Sequence, residues 1–342
     1  RLLTHRDGSK PVDDPTVNQI FVAYWQFAHG YYIKDGAPTN EVDNIRLALR
    51  DAIGLYGKLP ASKFGPLALK SVRQKMIERD LCRGMVNQHI GRVKRMFKWA
   101  TENEMIPPSI FHGLQAVRGL TRGRSSARES EPVRPVTEQH VEDVLDKVTR
   151  NVEEMITTRM YSGMRPGEVV IMRRCDLDTS AKVWLYIPRE HKTQHHGHQR
   201  KIYLGPKAQE VITPFLKHDL QAYLFSPAEA EAERRAKMHA ARKTPMSCGN
   251  KPGTNRRIKP RKQLRDRYDT DSYRRAITYG CDKAGVPRWH PHQLRHNAAT
   301  YLRKEFGLDA ARVVLGHHSP AVTEVYAELD ELKAAEIMGR VG

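Results

Sequence analysis

Three separated segments of the chain carry residue types that suit chemistry at a phosphate. In the first, Tyr161-Ser-Gly-Met-Arg165-Pro-Gly-Glu168, a predicted turn delivers an arginine to the start of a helix. The helix N-terminus and the guanidinium group both favour a phosphate, and Glu168, one turn later, can hold Arg165 in place. This segment alone is a weak indication, because a surface Arg–Glu pair before a helix is common.

The second segment, His290-Pro-His292-Gln-Leu-Arg295-His296, places His292 and Arg295 on one face of a predicted helix. His292 and His296 have the i, i+4 spacing of a zinc pair. However, the residue after His292 is a glutamine, where a metalloprotease motif has its general-base glutamate. No third ligand is evident near these histidines in the sequence, so we predict no metal site.

The third segment, Leu315-Gly-His317-His318-Ser-Pro-Ala-Val-Thr323-Glu-Val-Tyr326, presents a histidine after a glycine turn and a tyrosine nine residues later. Because the chain has 13 tyrosines, a lone tyrosine at helical spacing would normally be interpreted as a core residue. Together, however, the three segments supply two guanidinium groups, histidines and a phenol. Phosphodiester exchange without a metal can use such a set.

The ordered set Arg–x–x–Glu, His–x–Leu–Arg–His, Leu–Gly–His and Thr–x–x–Tyr closely resembles the catalytic boxes of the tyrosine recombinase, or phage integrase, family. The resemblance covers residues 137–330 apart from a basic insertion, and Asn87–Ile106 is similar, less specifically, to the last helices of that family's core-binding domain. It implies site-specific recombination of double-stranded DNA through a 3′-phosphotyrosyl intermediate, without metal, ATP or cofactor. It also implies a homotetramer on two DNA sites, with an accessory DNA-bending protein as a further candidate partner.

By that resemblance, Tyr326 would be the nucleophile, and Arg165 and Arg295 would clamp the scissile phosphate. His292 would be the histidine of the arginine box, and His317 would occupy the histidine or tryptophan position that precedes the nucleophile. A phenol has a pKa of about 10. Tyr326 therefore needs the cationic cluster to lower its pKa, or His292 to accept its proton.

The same resemblance assigns two supporting roles. Glu168 matches the acidic residue that supports the first arginine. Lys192 matches the hairpin lysine and is the plausible general acid for the leaving 5′-hydroxyl. If the hairpin register differs, Lys201 or Lys182 would take that role.

Four hypotheses about the function remain open at this point. We favour the integrase of a mobile element, acting in integration or excision, because the basic insertion and the basic linker suggest a divergent enzyme. The alternatives are a chromosome-dimer resolvase, a type IB topoisomerase with the same chemistry, and a non-catalytic DNA-binding relative that kept the fold.

The elements that position these residues are predicted to be mainly helical. Residues 14–118 form a helical core-binding (SAM-like) domain, 119–135 a basic linker and 136–342 the catalytic domain. Val86–Ala100 has one apolar helical face. The opposite face carries the candidate DNA-binding residues Arg92, Lys94, Arg95 and Lys98.

Within the catalytic domain, Lys182–Pro188 and Arg200–Leu204 alternate like paired strands. Residues 226–268 contain thirteen Lys and Arg against four acids, and we predict an exposed loop insertion there. The predicted fold is therefore mainly α with a small antiparallel β-sheet. The family resemblance implies that its two domains form a C-shaped DNA clamp.

Composition agrees with a nucleic-acid partner. The chain has 58 Lys and Arg against 39 Asp and Glu, a net charge of +19, which requires counter-charge such as a polyanion. No apolar run reaches the length of about 18 residues that would span a bilayer, and nothing near Arg1 is typical of a signal peptide. The four separated cysteines suggest reduced thiols. We therefore expect a cytoplasmic bacterial protein that associates with the nucleoid when bound to DNA.

Overall fold

The computed structural model describes residues 14–34, 36–190, 200–245, 247–248 and 264–316. The chain divides into two compact units, Arg1–Pro132 and Val133–Gly342. In the described residues both units are mainly helical, with one two-stranded and one three-stranded antiparallel sheet. The predicted fold class, mainly α with a small antiparallel sheet, is confirmed.

The described part of the N-terminal unit contains five α-helices and a short hairpin. They are α1 (Val17–Tyr31), β1 (Ile33–Lys34), β2 (Ala37–Pro38), α2 (Asn40–Tyr56), α3 (Pro66–Glu78), α4 (Arg83–Glu102) and α5 (Pro108–Gln115). The apolar face predicted for Val86–Ala100 is the buried face of α4, because its residues recur at helical spacing. At its centre, Phe97 stacks on Phe64 with ring centroids 4.7 Å apart.

The segment predicted as the linker lies against the start of α4 over much of its length. The Asn87 side chain accepts a hydrogen bond from the Leu120 N–H (2.7 Å) and donates one to its carbonyl (3.0 Å). Arg83 pairs with Glu129 at 2.7 Å, and its backbone N–H donates to the Arg128 carbonyl. The boundary between the units falls at Pro132, inside the predicted linker.

The C-terminal unit contains seven helices and one sheet in the described residues. They are α6 (Glu138–Leu145), α7 (Arg150–Ser162), α8 (Pro166–Val169), β3 (Leu177–Asp178), β4 (Trp184–Tyr186), β5 (Ile202–Leu204), α9 (Pro206–Ile212), α10 (Pro227–Ala240), α11 (Thr270–Ala284) and α12 (Pro291–Leu315). The strands are ordered β3-β4-β5, all antiparallel. The predicted pairing of the two later strands is confirmed, although both are shorter than predicted. The 25 residues of α12 are broken at Gly307, whose φ of 87° is not helical.

The prediction of a loop for 226–268 was wrong over its first part, because Pro227–Ala240 is a helix. This stretch is rich in alanine and glutamate, which are strong helix formers, and it begins with a proline at the first helical position. Glu231 pairs with Arg234 at 2.7 Å and with Arg235 at 2.6 Å, which are the i, i+3 and i, i+4 neighbours of a helix surface. Residues 246 and 249–263 of the insertion lie outside the described residues.

The packing of α11 on α6 generates a first prediction. A Cβ placed on Gly280 would lie 2.7 Å from a methyl group of Val148 and 2.8 Å from one of Val144. We expect Gly280→Ala to lower the free energy of unfolding by about 1–3 kcal/mol, because β-branched neighbours cannot move aside without cost. Calorimetric unfolding of the whole chain measures this.

Gly54→Ala is the matched control, since Gly54 is also inside a helix but a Cβ there meets nothing within 4 Å. That variant should be more stable than the parent by about 0.5–1 kcal/mol, the helix-propensity difference between glycine and alanine. Equal unfolding midpoints for the two variants would contradict the close packing of α11 on α6.

Candidate active site

Arg165 ends the tight turn that leads from α7 into α8, and Glu168 lies in the first turn of α8. Helix α7 ends at Gly163, which adopts a left-handed conformation (φ 63°) and where a Cβ would collide with Leu315. Arg165 is the N-cap of α8, and Pro166 is its first helical residue. The Glu168 carboxylate accepts a hydrogen bond from the Arg165 backbone N–H (2.6 Å) and another from its Nη1 (2.9 Å). The predicted Arg–x–x–Glu pair is therefore present, with the backbone and the side chain of Arg165 both donating to the Glu168 carboxylate.

Glu168 also binds a second arginine that the sequence analysis missed. Arg200, two residues before β5, donates from Nε to the Glu168 carboxylate at 3.3 Å. The Tyr186 hydroxyl of β4 donates to the Glu168 carbonyl at 2.7 Å. Strand alternation could have identified Arg200, because it has the same phase as the buried Ile202.

The charge of Glu168 follows from these contacts. The residue is 2% exposed. Burial alone would raise the pKa of its carboxyl group, but the guanidinium groups of Arg200 and Arg165 outweigh burial and the pKa is lowered. Glu168 is therefore an ionised carboxylate that binds two guanidinium groups and fixes the turn carrying Arg165.

Arg295, the second predicted arginine, is 1% exposed on α12. Its Nη1 donates to the Gly163 carbonyl and its Nη2 to the Leu315 carbonyl, both at 2.7 Å. These carbonyls lie at the C-terminal ends of α7 and α12, where the helix dipoles concentrate partial negative charge. Arg295 thus joins two helix ends directly beside the Arg165 turn.

His292 lies one turn before Arg295 on α12, and its ring contacts the His296 ring edge-to-face at 5.9 Å between centroids. Burial, followed by the positive charges of Arg159 and Arg295 and the neighbouring His296, lowers the pKa of His292 to about 4. The imidazole is therefore neutral at physiological pH and can accept a proton.

A fourth arginine of this site, Arg159 on α7, was also missed by the sequence analysis. It is fully buried, and its Nε donates to the Met164 carbonyl at 3.1 Å. Helical spacing from Val152 and Met155 places Arg159 on the inward face of α7. That spacing was the available signal.

Three of the predicted catalytic residues, Lys192, His317 and Tyr326, lie outside the described residues. Of the alternative lysines, Lys182 and Lys201 are both exposed near the strand ends of the β4–β5 hairpin. The structure thus gathers Arg165, Glu168, Arg295 and His292 in the C-terminal unit, with Arg200 and Arg159 added to them.

The arginines predicted to bind DNA from α4 have partners within their own unit. Arg92 donates from Nε and Nη2 to both carboxylate oxygens of Glu41, at 3.0 and 2.8 Å. Arg95 donates to the same carboxylate at 3.1 Å and to the Tyr32 hydroxyl at 2.9 Å. The arginines lower the pKa of Glu41, the Arg92 hydrogen bond having the largest effect. Both arginines therefore contribute to the packing of α4 on the α1–α2 region.

The two lysines of the same face differ in exposure. Lys94 donates to the Val117 carbonyl, and burial together with nearby Arg73 lowers its pKa. Lys98 has a side chain that is 58% exposed and pairs with Glu102 at 3.2 Å. Lys98 is thus the most exposed cation of the predicted set, while the DNA-binding role of all four residues stays a prediction.

The described residues contain no cluster of three or more His, Cys, Asp or Glu side chains that could hold a metal ion. None of the described helices combines the length and apolar character needed to cross a bilayer.

Comparisons with known proteins identify the class of protein. Residues 136–333, more than half of the chain, match the model of the phage integrase family. The chain therefore belongs to the phage integrase family of tyrosine recombinases, enzymes that cut and rejoin DNA strands.

Individual relatives agree with this assignment. The chain is 25% identical over 330 residues to a tyrosine recombinase XerC of Corynebacterium efficiens, covering 95% of this chain and 92% of the relative. It is 32% identical over 164 residues to a XerC 1 of Ralstonia nicotianae, covering 47% of this chain and 43% of the relative.

Two solved structures share the fold. A lambda integrase dimer bound to a COC′ core site matches with a TM-score of 0.65 at 14% identity, covering 96% of this chain and 83% of that chain. The Tn1549 transposon integrase in complex with transposon right end DNA matches with a TM-score of 0.62 at 17% identity, covering 95% and 99%.

The shared carboxylate generates a second prediction. Replacing Glu168 by Gln should lower the free energy of unfolding by about 3–5 kcal/mol, because two guanidinium groups would lose their counter-charge in a buried site. Denaturant unfolding measures the loss. Glu142→Gln, at an exposed position of α6, is the control and should change stability by less than about 0.5 kcal/mol. A loss for Glu168→Gln no larger than the control's would mean that the network does not hold the turn.

The neutral imidazole generates a third prediction. The folded-state pKa of His292, about 4, lies below the ordinary value of 6.5, so the unfolded chain binds the proton more tightly. The stabilising contribution is complete above pH 6.5 and is lost as the pH falls through 4. Between pH 7 and pH 4.5, the thermal midpoint of His292→Gln should therefore fall less than that of the parent. An equal fall of the thermal midpoint in the parent and in His292→Gln would contradict the lowered pKa of His292.

Proposed function

We propose that the chain is a site-specific recombinase that integrates or excises a mobile element, with Tyr326 as its nucleophile. The supporting observation is the cluster in the C-terminal unit, where Glu168 holds Arg165 beside the buried Arg295 and a neutral His292. This cluster lies within the residues that match the family.

Arg165 is the cation best placed to meet a DNA phosphate. Its side chain remains 21% exposed although its Nη1 is bound to Glu168, whereas Arg295 is almost fully buried. Attack on a phosphodiester increases the negative charge on the non-bridging oxygens. A guanidinium group held in advance stabilises that charge without the cost of reorganisation. The buried Arg295, bound to the Gly163 carbonyl of the same turn, adds a second positive charge to the site.

The proton transfers follow from the charge state of the site. The Tyr326 oxygen attacks phosphorus and gives its proton to His292, which is neutral and can accept it. The bond from phosphorus to the 5′-oxygen breaks as Lys192, or Lys201 or Lys182 in its place, donates a proton to that oxygen. His317 donates a hydrogen bond to the phosphate. A 5′-hydroxyl of another strand then reverses the reaction, so no ATP is consumed.

The proposed partner is double-stranded DNA bound by a homotetramer on two sites. The net charge of +19 supports binding to a polyanion. The lambda integrase has been seen as a tetramer bound to a Holliday junction, which supports the same assembly here. Lys98 is the exposed cation of α4 that we propose contacts DNA, with Arg92, Lys94 and Arg95 shaping that face. We also propose that an accessory DNA-bending protein assists the recombinase. The protein would act in the bacterial cytoplasm and associate with the nucleoid when bound to DNA.

Chromosome-dimer resolution is the second candidate. It is favoured by the curated relatives, which are named XerC. The mobile-element reading is favoured by the basic insertion, nine positive charges in excess over residues 226–268, and by the fold shared with a transposon integrase.

A covalent-trapping experiment tests the chemistry. A binding site is selected from random duplex DNA, nicked next to the cleavage position and incubated with the protein, and adducts are separated in SDS gels. Tyr326→Phe should form no adduct, and Arg165→Ala should form it about 10²–10³-fold more slowly, the cost of losing one charge-stabilising donor. Tyr301→Phe is the control, since Tyr301 is exposed on α12 and has no proposed role in the chemistry.

An adduct that persists in Tyr326→Phe would refute the proposed nucleophile. The same preparation applied to plasmids with two selected sites separates the related activities. Exchange between sites supports a recombinase, and relaxation of a plasmid without sites would support a type IB topoisomerase. The sequence of the selected site then separates the two recombinase functions. A match to the ends of a mobile element supports an integrase, and a match to a site of the chromosome itself supports a resolvase.

A further inference from the structure

Arg159 is a buried cation to which the proposed chemistry assigns no role. It has no exposed surface, and among the described residues its Nη1 and Nη2 have no hydrogen-bond partner. Its guanidinium carbon lies over the Tyr273 ring of α11, 5.9 Å from the centroid. Burial lowers the pKa of Arg159, but arginine starts so far above neutral pH that the charge remains.

This arrangement is costly for the fold. The Glu168 carboxylate attracts Arg159 electrostatically, but that carboxylate already binds Arg165 and Arg200. A buried charge without its own counter-ion, and two donors without acceptors, oppose folding, and an apolar side chain of similar length would avoid both penalties. A buried ionisable group perturbed in this way beside Arg165 is a candidate functional residue.

Among the described residues, the Arg159 side chain makes one hydrogen bond. Its Nε donates to the Met164 carbonyl, while Arg295 donates to the preceding carbonyl, that of Gly163. Two buried guanidinium groups from two helices therefore bind successive carbonyls, immediately before Arg165. The backbone immediately before Arg165 is therefore held by two guanidinium groups.

Arg159 also acts on His292. Arg159 and Arg295, one turn after His292 on α12, bind successive carbonyls, so the Arg159 guanidinium belongs to the same cluster as this imidazole. Burial first, and then the positive charges of Arg159, His296, Arg295 and Arg165, lower the pKa of His292. From the other elements packed on α12, α11 brings Tyr273, which stacks on Arg159, and the start of β5 brings Arg200, which is paired with Glu168.

We propose that Arg159 is a positioning residue of the recombination site. It fixes the turn that carries Arg165, and its own charge opposes protonation of His292. Arg159 thereby keeps the imidazole unprotonated before the reaction and lowers its basicity, so that a proton taken from the nucleophile is readily passed on. The part concerning the nucleophile rests on the proposed function, whereas the effect on His292 is a property of the folded chain alone.

The decisive experiment is an NMR titration of the whole chain with histidine labelled at the ring carbon Cε1. The resonance of His292, one of 16 histidines, is identified by its loss in His292→Gln. In Arg159→Met, the midpoint of the His292 titration should rise by about one pH unit or more, because a nearby buried positive charge is removed. Arg159→Lys keeps the charge and should leave the midpoint close to that of the parent.

Arg150→Met is the matched control. Arg150 is the first residue of α7 and stacks on Phe215 at 4.9 Å, in a side chain that is half-exposed. It should not move the His292 midpoint. If Arg159→Met does not fold by circular dichroism, Arg159→Gln takes its place. An unchanged midpoint in the neutral variant, or an equal shift in Arg150→Met, would overturn the proposal.

Covalent trapping as a function of pH provides the second readout. In Arg159→Met, the acid limb of the adduct-forming rate should move to higher pH together with the NMR midpoint, and in Arg159→Lys it should not. A rate that falls equally at every pH would indicate a merely structural role. Absence of adducts from the parent protein would count against the proposed function, and the titration would still decide the effect of Arg159 on His292.

Discussion

The C-terminal unit depends on one buried carboxylate. Glu168 accepts from the backbone and side chain of Arg165 in its own turn and from Arg200 before the next strand, and its carbonyl accepts from Tyr186. This single residue thereby joins the helix start, the hairpin and the sheet. Its ionised state is maintained because two guanidinium groups outweigh the cost of burial.

Around that carboxylate, the unit must keep several cations close together before any DNA arrives. Repulsion between Arg165, Arg295 and Arg159 is offset by backbone oxygens, since Arg295 and Arg159 donate to carbonyls of Gly163, Met164 and Leu315. Carbonyls at helix ends carry partial negative charge and remain fixed. They can hold a guanidinium without neutralising it, and the positive charge of the site remains available to a phosphate.

The sequence analysis identified site residues that lie close together in the chain and missed those that meet only in the folded structure. Arg165 and Glu168 are three residues apart, and His292 and Arg295 lie on one helical face, so local spacing together with the family resemblance identified them. Arg200 reaches Glu168 across 32 residues, and Arg159 was not recognised because charged side chains are seldom assigned to a core.

The remaining differences have the same origin. Arg92 and Glu41 are 51 residues apart, so the ion pair that occupies the predicted DNA-binding face could not be read from α4 alone. The charge of the insertion masked a helix-forming composition in α10.

Gly316, directly after α12, has a φ of 65°, and a Cβ on it would collide with the guanidinium of Arg200. Residue 316 must therefore stay without a side chain in any variant library built to retarget the enzyme. Every substituent there would dislodge the arginine that keeps Glu168 in place, however well the new DNA surface were designed.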